Sequence, residues 1–374
     1  MHGLDTLRAA AILMVMVFHE QWTLPERLQP LGKIGWMGVD LFFVLSGYLI
    51  GLQVLRPYLR GESLSIREFY RKRVYRILPA YLVVVGLYFL VPAWRERPGI
   101  SPLWEFLTFT ENLFVDYSHN QAFSHVWSLC VEEHFYLLLP FLVVWMMRRP
   151  SLRKAVAVSV GVVMLGIAVR GWGLVHGLRA EEWPDGFGAR YIELIYYPTW
   201  CRLDGLLVGV LLAATEVFRP RWWRAVARHG HATMGLGVAL FTVASWMFAD
   251  RFESLYGLAA WSTYLGFPVV SLAFGLLVAS SVSDNGVLRR VKVPGAGVLA
   301  MLAYGLYLTH KEIIHLVQGA WPALAEGRTW GAAAVYFVSC VAGAGLLYVC
   351  VERPFMRLRG RRKAAVAMRM EPAI

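Results

Sequence analysis

The chain has 374 residues, 57% of them hydrophobic and only 17% charged, with a mean hydropathy of +0.50. Apolar stretches approaching the roughly 20 residues needed to cross hydrocarbon recur from end to end, which excludes a water-soluble globular protein and leaves no polar stretch large enough for a separate soluble domain. A formal net charge of +12 raises nucleic acid as a partner, but the cations alternate from loop to loop as membrane topology requires, which excludes that reading.

The pattern predicts ten spans, near 7 to 24, 36 to 55, 77 to 93, 126 to 147, 155 to 175, 197 to 216, 232 to 249, 262 to 282, 295 to 317 and 331 to 350. With the N-terminus in the cytoplasm, 26 of the 37 Lys and Arg fall on inner segments, eight on outer loops, and Arg170, Arg202 and Lys311 within spans. That asymmetry obeys the positive-inside rule and predicts an all-α, polytopic helix bundle with both termini cytoplasmic. The four cysteines, Cys130, Cys201, Cys340 and Cys350, lie in or at the ends of spans, so they are read as packing residues rather than a disulfide framework.

In chain order, Arg8 precedes the apolar run Ala9 to Phe18, but His19, Glu20, Gln21 and Trp22 follow where a signal peptide would carry small residues, so the span is expected to be retained. A histidine titrating near neutral pH suits proton removal from an alcohol, and Glu20 is a candidate to hold its tautomer. The alternative is a histidine at headgroup level. The second His of a helical zinc-protease motif is missing, so no metal is assigned here. The second span holds Asp40 and Ser46, and its Gly47 and Gly51 are spaced for close helix approach, as are Gly205 and Gly209 later.

Arg71, Lys72, Arg73 and Arg76 precede the third span. If this segment is helical, Arg73 and Arg76 share a face and can clasp a phosphate; otherwise they are ordinary topology anchors. Outer loops at Trp94 to Ser124 and His176 to Tyr196 are long and rich in Trp, Pro and Asp, and Trp104, Trp183, Tyr191, Tyr196 and Tyr197 can stack on sugar rings or anchor the interface. Trp104 to Phe114 is amphipathic and too short to cross, so it lies in the interface or dips back into the protein.

Trp127 to Tyr136 puts Glu132, Glu133 and His134 where a span should carry no charge, which marks a chemical site. Ser128, Glu132 and Tyr136 follow four-residue steps along one stripe. One of Glu132 and Glu133 can orient His19 and the other bind a substrate hydroxyl, or the stripe simply joins helices. Arg202 and Asp204 are two apart and cannot face each other on a helix, so each needs a partner elsewhere, with Asp40 a candidate for a cation. In the ninth span, Tyr304 and Tyr307 precede another polar intrusion, His310. Asp40, Ser46, Tyr136, Arg202, Asp204 and His310 are the candidate substrate-pocket residues.

Taken in order, these segments resemble the acyltransferase 3 family of integral-membrane O-acyltransferases. The matching residues are Leu4 to Ala9 leading to Phe18 and His19, Gly38 to Tyr48, Phe69 to Pro79, Trp127 to Pro140, Arg202 to Leu207, Tyr304 to His310, and Val351 to Phe355. The resemblance implies transfer of an acyl group, commonly acetyl, from a cytoplasmic acyl-CoA to a hydroxyl of a carbohydrate or glycosylated small molecule, in a multi-pass protein of the cell inner membrane. It implies His19 as catalytic and Arg73 and Arg76 as donor-binding, with acyl-CoA as co-substrate and no permanently bound cofactor. Relatives often carry an acidic residue eleven positions after the histidine, where this chain has Pro30, so Glu20, Glu26 or Glu132 would supply the acid. The expected organisation is a membrane domain over 1–355 and a basic cytoplasmic tail over 356–374, without the hydrolase-like domain that some relatives append, so that a second transfer step would need another protein. A transporter or flippase of a sugar- or lipid-linked substrate, and an inactive acyl-sensing scaffold, are the rival readings.

Overall fold

The computed structural model describes residues 2–178, 187–248 and 258–359, all helix, turn or loop, with no strand among them. Ten helices of 15 residues or more occur among the described residues: α1 (His2–Glu20), α2 (Gly38–Leu59), α3 (Ile66–Leu90), α4 (Trp127–Arg148), α5 (Leu152–Trp172), α6 (Asp204–Phe218), α7 (Gly230–Met247), α8 (Phe267–Val282), α9 (Ala296–Ala320) and α10 (Trp330–Leu347). Each predicted span falls on one of them. Six segments, built on α2, α3, α4, α5, α8 and α10, are long and apolar enough to cross a membrane, and the chain is a polytopic membrane protein. Residues 360–374, most of the predicted basic tail, and Trp183 lie outside the described residues.

Two boundaries differ from the expectation for physical reasons. Helix α3 begins eleven residues early, because the Ser65 hydroxyl caps it by accepting the Glu68 amide, so the basic run Arg71 to Arg76 is helical. Helix α6 begins late: Pro198 and a 3-10 turn over Thr199–Cys201 break the predicted span and leave Arg202 in the connection, not in the helix.

The described helices group into two compact units that interleave in sequence, one from residues 1–21, 27–64 and 97–300, the other from 22–26, 65–96 and 301 onward. In the first, α2 is the hub, packed by α1, α4, α6 and α8, while α7 pairs with α8. Glycine permits the closest of these approaches: a Cβ on Gly47 would lie 2.1 Å from the Leu206 carbonyl oxygen, and one on Gly209 would lie 2.3 Å from that of Val44. The spaced glycines therefore do serve packing, α2 against α6. In the second unit, the Tyr304 hydroxyl on α9 donates to the Ile77 carbonyl of α3 (3.0 Å), and the Cys340 thiol of α10 faces the His310 carbonyl (3.7 Å). All four cysteines are free thiols.

Among the described residues four π-helical turns, Gly173–Gly177, Ile192–Tyr196, Ser262–Gly266 and Tyr348–Glu352, interrupt the regular helices. Such turns widen the hydrogen-bond ring and re-aim side chains and carbonyls. Three of them serve the buried charges described next.

Candidate active site

In the first unit Arg202 is buried beside Asp40, donating from Nη2 to Oδ1 at 2.8 Å, with both side chains almost wholly shielded (0% and 3% exposed). Its guanidinium lies over the rings of Phe267 (4.3 Å), Tyr196 (4.4 Å) and Trp127 (5.1 Å). Aromatic faces and one carboxylate thus replace water around this cation. The π turn over Ile192–Tyr196 presents Tyr196 to it. Asp204 takes a different partner, Arg170 at 2.7 Å, and Arg170 also donates to the carbonyls of Cys201 (2.6 Å) and Tyr264 (3.3 Å). Tyr264 belongs to the π turn over Ser262–Gly266, which supplies that carbonyl. The two ion pairs pin the connection entering α6 to α2 on one side and α5 on the other.

One turn deeper along α4, the polar stripe forms a second cluster. Ser46 of α2 donates to Glu132 Oε1 at 2.7 Å, and Tyr136 donates to Oε2 at 2.9 Å. Both carboxylate oxygens are thereby engaged. Glu133 and His134 turn to other faces, and His134 Nδ1 lies 2.7 Å from the Thr199 hydroxyl, which also accepts from Asn112 (2.9 Å). The predicted pocket members Asp40, Arg202, Ser46 and Tyr136 are therefore all tied into networks between helices.

His19 ends α1 half-buried, and its ring meets that of His125 edge to face at 6.0 Å between centroids. His125 is 3% exposed and is carried on a 3-10 turn over Ser124–Val126, launched by Phe123 in the left-handed region at φ +59°. A left-handed aromatic residue costs on the order of 1–3 kcal/mol and persists only where surrounding structure holds it. Here Phe106 stacks on Phe123 at 5.6 Å, and the turn Glu111–Leu113 packs against the histidine turn. The Trp104 to Phe114 segment turns Glu105, Phe106, Glu111 and Asn112 inward while Trp104, Leu107 and Phe114 stay exposed. Burial raises the Glu105 carboxyl above the ordinary carboxylate range, partly offset by the Ser101 hydroxyl. Pro30 stands exposed in the first turn of a short helix over Gln29–Gly35, so position 30 supplies no acid. Glu20 is half-buried next to His19 in sequence, and Glu26 is exposed.

The second unit holds the predicted donor residues. Arg73 and Arg76 are both half-buried on α3 at three-residue spacing. Arg76 Nη1 lies 3.4 Å from Oε2 of Glu352, a carboxylate 1% exposed that the π turn over Tyr348–Glu352 carries inward. His310 is fully buried, its Nδ1 2.9 Å from the Leu306 carbonyl, and beside it Lys311 pairs with Glu96 at 2.8 Å.

Several of these roles lay outside the sequence reading. Arg170 was visible there as a charge within a span, and Glu352 as part of the Val351 to Phe355 motif; neither position signalled its partner. His125 carried no signal beyond its place before Trp127. The outer aromatics also divide differently from expectation: Tyr191 and Tyr197 are buried and Tyr196 half-buried, with Tyr197 stacked on Trp127 at 4.9 Å, whereas Trp104 is 51% exposed.

Residues 1–349 match the family described as Acyltransferase domain. The chain is 26% identical over 346 residues to O-acetyltransferase OatA of Staphylococcus aureus (strain NCTC 8325 / PS 47), an alignment covering 86% of this chain and 52% of that protein. It is 25% identical over 379 residues to the Putative O-acetyltransferase SAS0844 of Staphylococcus aureus (strain MSSA476), covering 96% and 57%. The chain spans about half the length of the curated relatives it matches. No solved structure matches it.

Proposed function

The chain belongs to the acyltransferase 3 family, and from that premise we propose that it is a membrane O-acetyltransferase of the cell inner membrane, moving an acetyl group from a cytoplasmic acyl-CoA to a hydroxyl of a carbohydrate or glycosylated acceptor. His19 is the general base. It takes the proton of the acceptor hydroxyl as that oxygen attacks the thioester carbonyl; collapse of the tetrahedral adduct breaks the carbon–sulfur bond, and the coenzyme A thiolate leaves with the proton from the imidazolium. Arg73 and Arg76 hold the donor's phosphates, for which two guanidinium groups at helical spacing are suited.

The observation that carries this reading is the placement of His19: half-buried at the end of α1, with the buried His125 ring against it, instead of projecting alone at headgroup level. Names of the relatives support acetyl as the transferred group. The ordered polar clusters at Asp40–Arg202 and Ser46–Glu132–Tyr136 fix α2 against the connection entering α6 and against α4, and catalysis by positioned groups requires a frame held in this way.

General base catalysis contributes about 10²- to 10⁴-fold, so His19→Ala in the full-length protein should lower turnover of labelled acetyl-CoA with glycan acceptors by at least about 100-fold. The variant should still be recovered from membranes as a monodisperse protein. Turnover near the wild-type rate would reject His19 as the base, and vectorial movement of a sugar substrate without acetylation would reject the enzyme.

A further inference from the structure

At the end of the first unit where α4 passes into α5, a cavity of about 480 Å³ opens between α2, α4, α5 and α6. Its size falls within the range of about 300–1,000 Å³ typical of pockets that enclose a ligand. Nothing in the acetyl transfer described above uses it. Leu55, Val143, Val158 and Ala214, one from each helix, face into it, and the apolar lining residues Leu152 and Leu211 are exposed (56% and 40%). The mouth is therefore flanked by surface of the kind that lipid covers.

Arg219 lines the cavity, and further cations crowd the two stretches of chain that border it. The stretch 148–154 carries Arg148, Arg149, Arg153 and Lys154, and the stretch 219–228 carries Arg219, Arg221, Arg224 and Arg228, with no acidic residue in either. Ser151 and Leu152 of the first stretch and Arg219 and Trp222 of the second are themselves part of the lining. No carboxylate among the described residues pairs with Arg149, Arg153 or Arg219, and Glu216, one turn before Arg219, is already held by the Tyr48 hydroxyl and by Arg56 at 3.0 Å. Trp222 is 61% exposed on the short helix Pro220–Arg228, whose tryptophans and arginines give it the character of an interfacial helix.

From this juxtaposition of an apolar cavity and unneutralised guanidinium groups on the stretches that border it, we propose that the cavity is a binding site for an anionic phospholipid, one acyl chain inside it and the phosphate held by Arg149 and Arg219. Moving an acyl chain from bilayer to an equally apolar cavity changes little by itself, so selectivity must come from the headgroup. Basic residues close to the membrane surface each favour anionic lipid by about fivefold.

The test uses the purified full-length protein in bilayers of mixed phosphatidylglycerol and phosphatidylcholine, with retained lipid identified by native mass spectrometry. Wild type should hold phosphatidylglycerol in preference to phosphatidylcholine, Arg149→Gln and Arg219→Gln should each reduce its occupancy about fivefold, and Arg290→Gln, on another basic loop, should leave it unchanged. Ala214→Trp fills the cavity with every cation in place and should remove the retained lipid; if that variant is not monodisperse, Val158→Trp from the facing wall reads the same property. Equal retention of the two lipids by wild type, or undiminished phosphatidylglycerol in the filled variants, would overturn the proposal.

Discussion

Removing Arg202 tests whether the buried charges hold the first unit together. The change Arg202→Met leaves Asp40 at 2% exposure without its cation, and breaking one partner of a buried pair costs about 3–5 kcal/mol. The three rings within 5.1 Å of the guanidinium lose a cation–π contact as well, each on the order of 0.5–2 kcal/mol, so the total should reach or exceed the upper end of that range. Asp40→Leu alone should also be costly, because it strands a buried guanidinium. The double variant should regain much of the loss, since apolar side chains replacing both members of a buried pair are often neutral or better. Unfolding in mixed micelles by titration with dodecyl sulfate, read by circular dichroism, gives the four corners of the cycle. Single variants within about 0.5 kcal/mol of wild type, or a double variant no more stable than the worse single one, would refute this account of the pair.

Gly209→Val places methyl groups where a Cβ alone would already lie 2.3 Å from the Val44 carbonyl oxygen, so α2 and α6 must separate; a loss of about 3 kcal/mol in a dodecyl sulfate titration, or of monodisperse protein on size-exclusion chromatography in detergent, is expected. Gly161→Ala, with open space around its Cβ position, should show neither. Arg76→Gln should raise the KM for acetyl-CoA by tenfold or more with a smaller change in kcat, as loss of a binding contact predicts, and a fall in kcat alone would remove Arg76 from the donor site. Glu132→Gln keeps an acceptor for Ser46 or Tyr136 but gives up the charge; stability within about 1 kcal/mol of wild type with a clear fall in turnover would separate a chemical role from helix joining, whereas unchanged turnover would assign Glu132 to structure.

Much of the architecture is legible in the sequence. Apolar runs of span length located the ten long helices among the described residues, because a segment that meets lipid or core on all sides is apolar on every face. The break at Pro198 and the early start of α3 were not legible as boundaries: a hydropathy window averages across a 3-10 turn, and a basic run reads as loop even where Ser65 caps a helix. In the site, the four-residue stripe correctly grouped Glu132 with Tyr136, since both lie on one helix. Asp40 was rightly identified as a partner for a cation.

Sequence by itself determined that the chain is an all-helical membrane protein and that charges sit within its apolar segments. Only the tertiary structure decided the partners: Asp40 for Arg202 across 162 positions, Arg170 for Asp204, Ser46 for Glu132, and the His125 ring against His19. The physical reason is that helical period fixes which way a side chain points from its own axis, whereas the group it meets depends on the rotation, depth and distance at which two helices dock. Those are set here by glycine contacts and by turns that interrupt the helices, features whose consequences belong to the assembled fold.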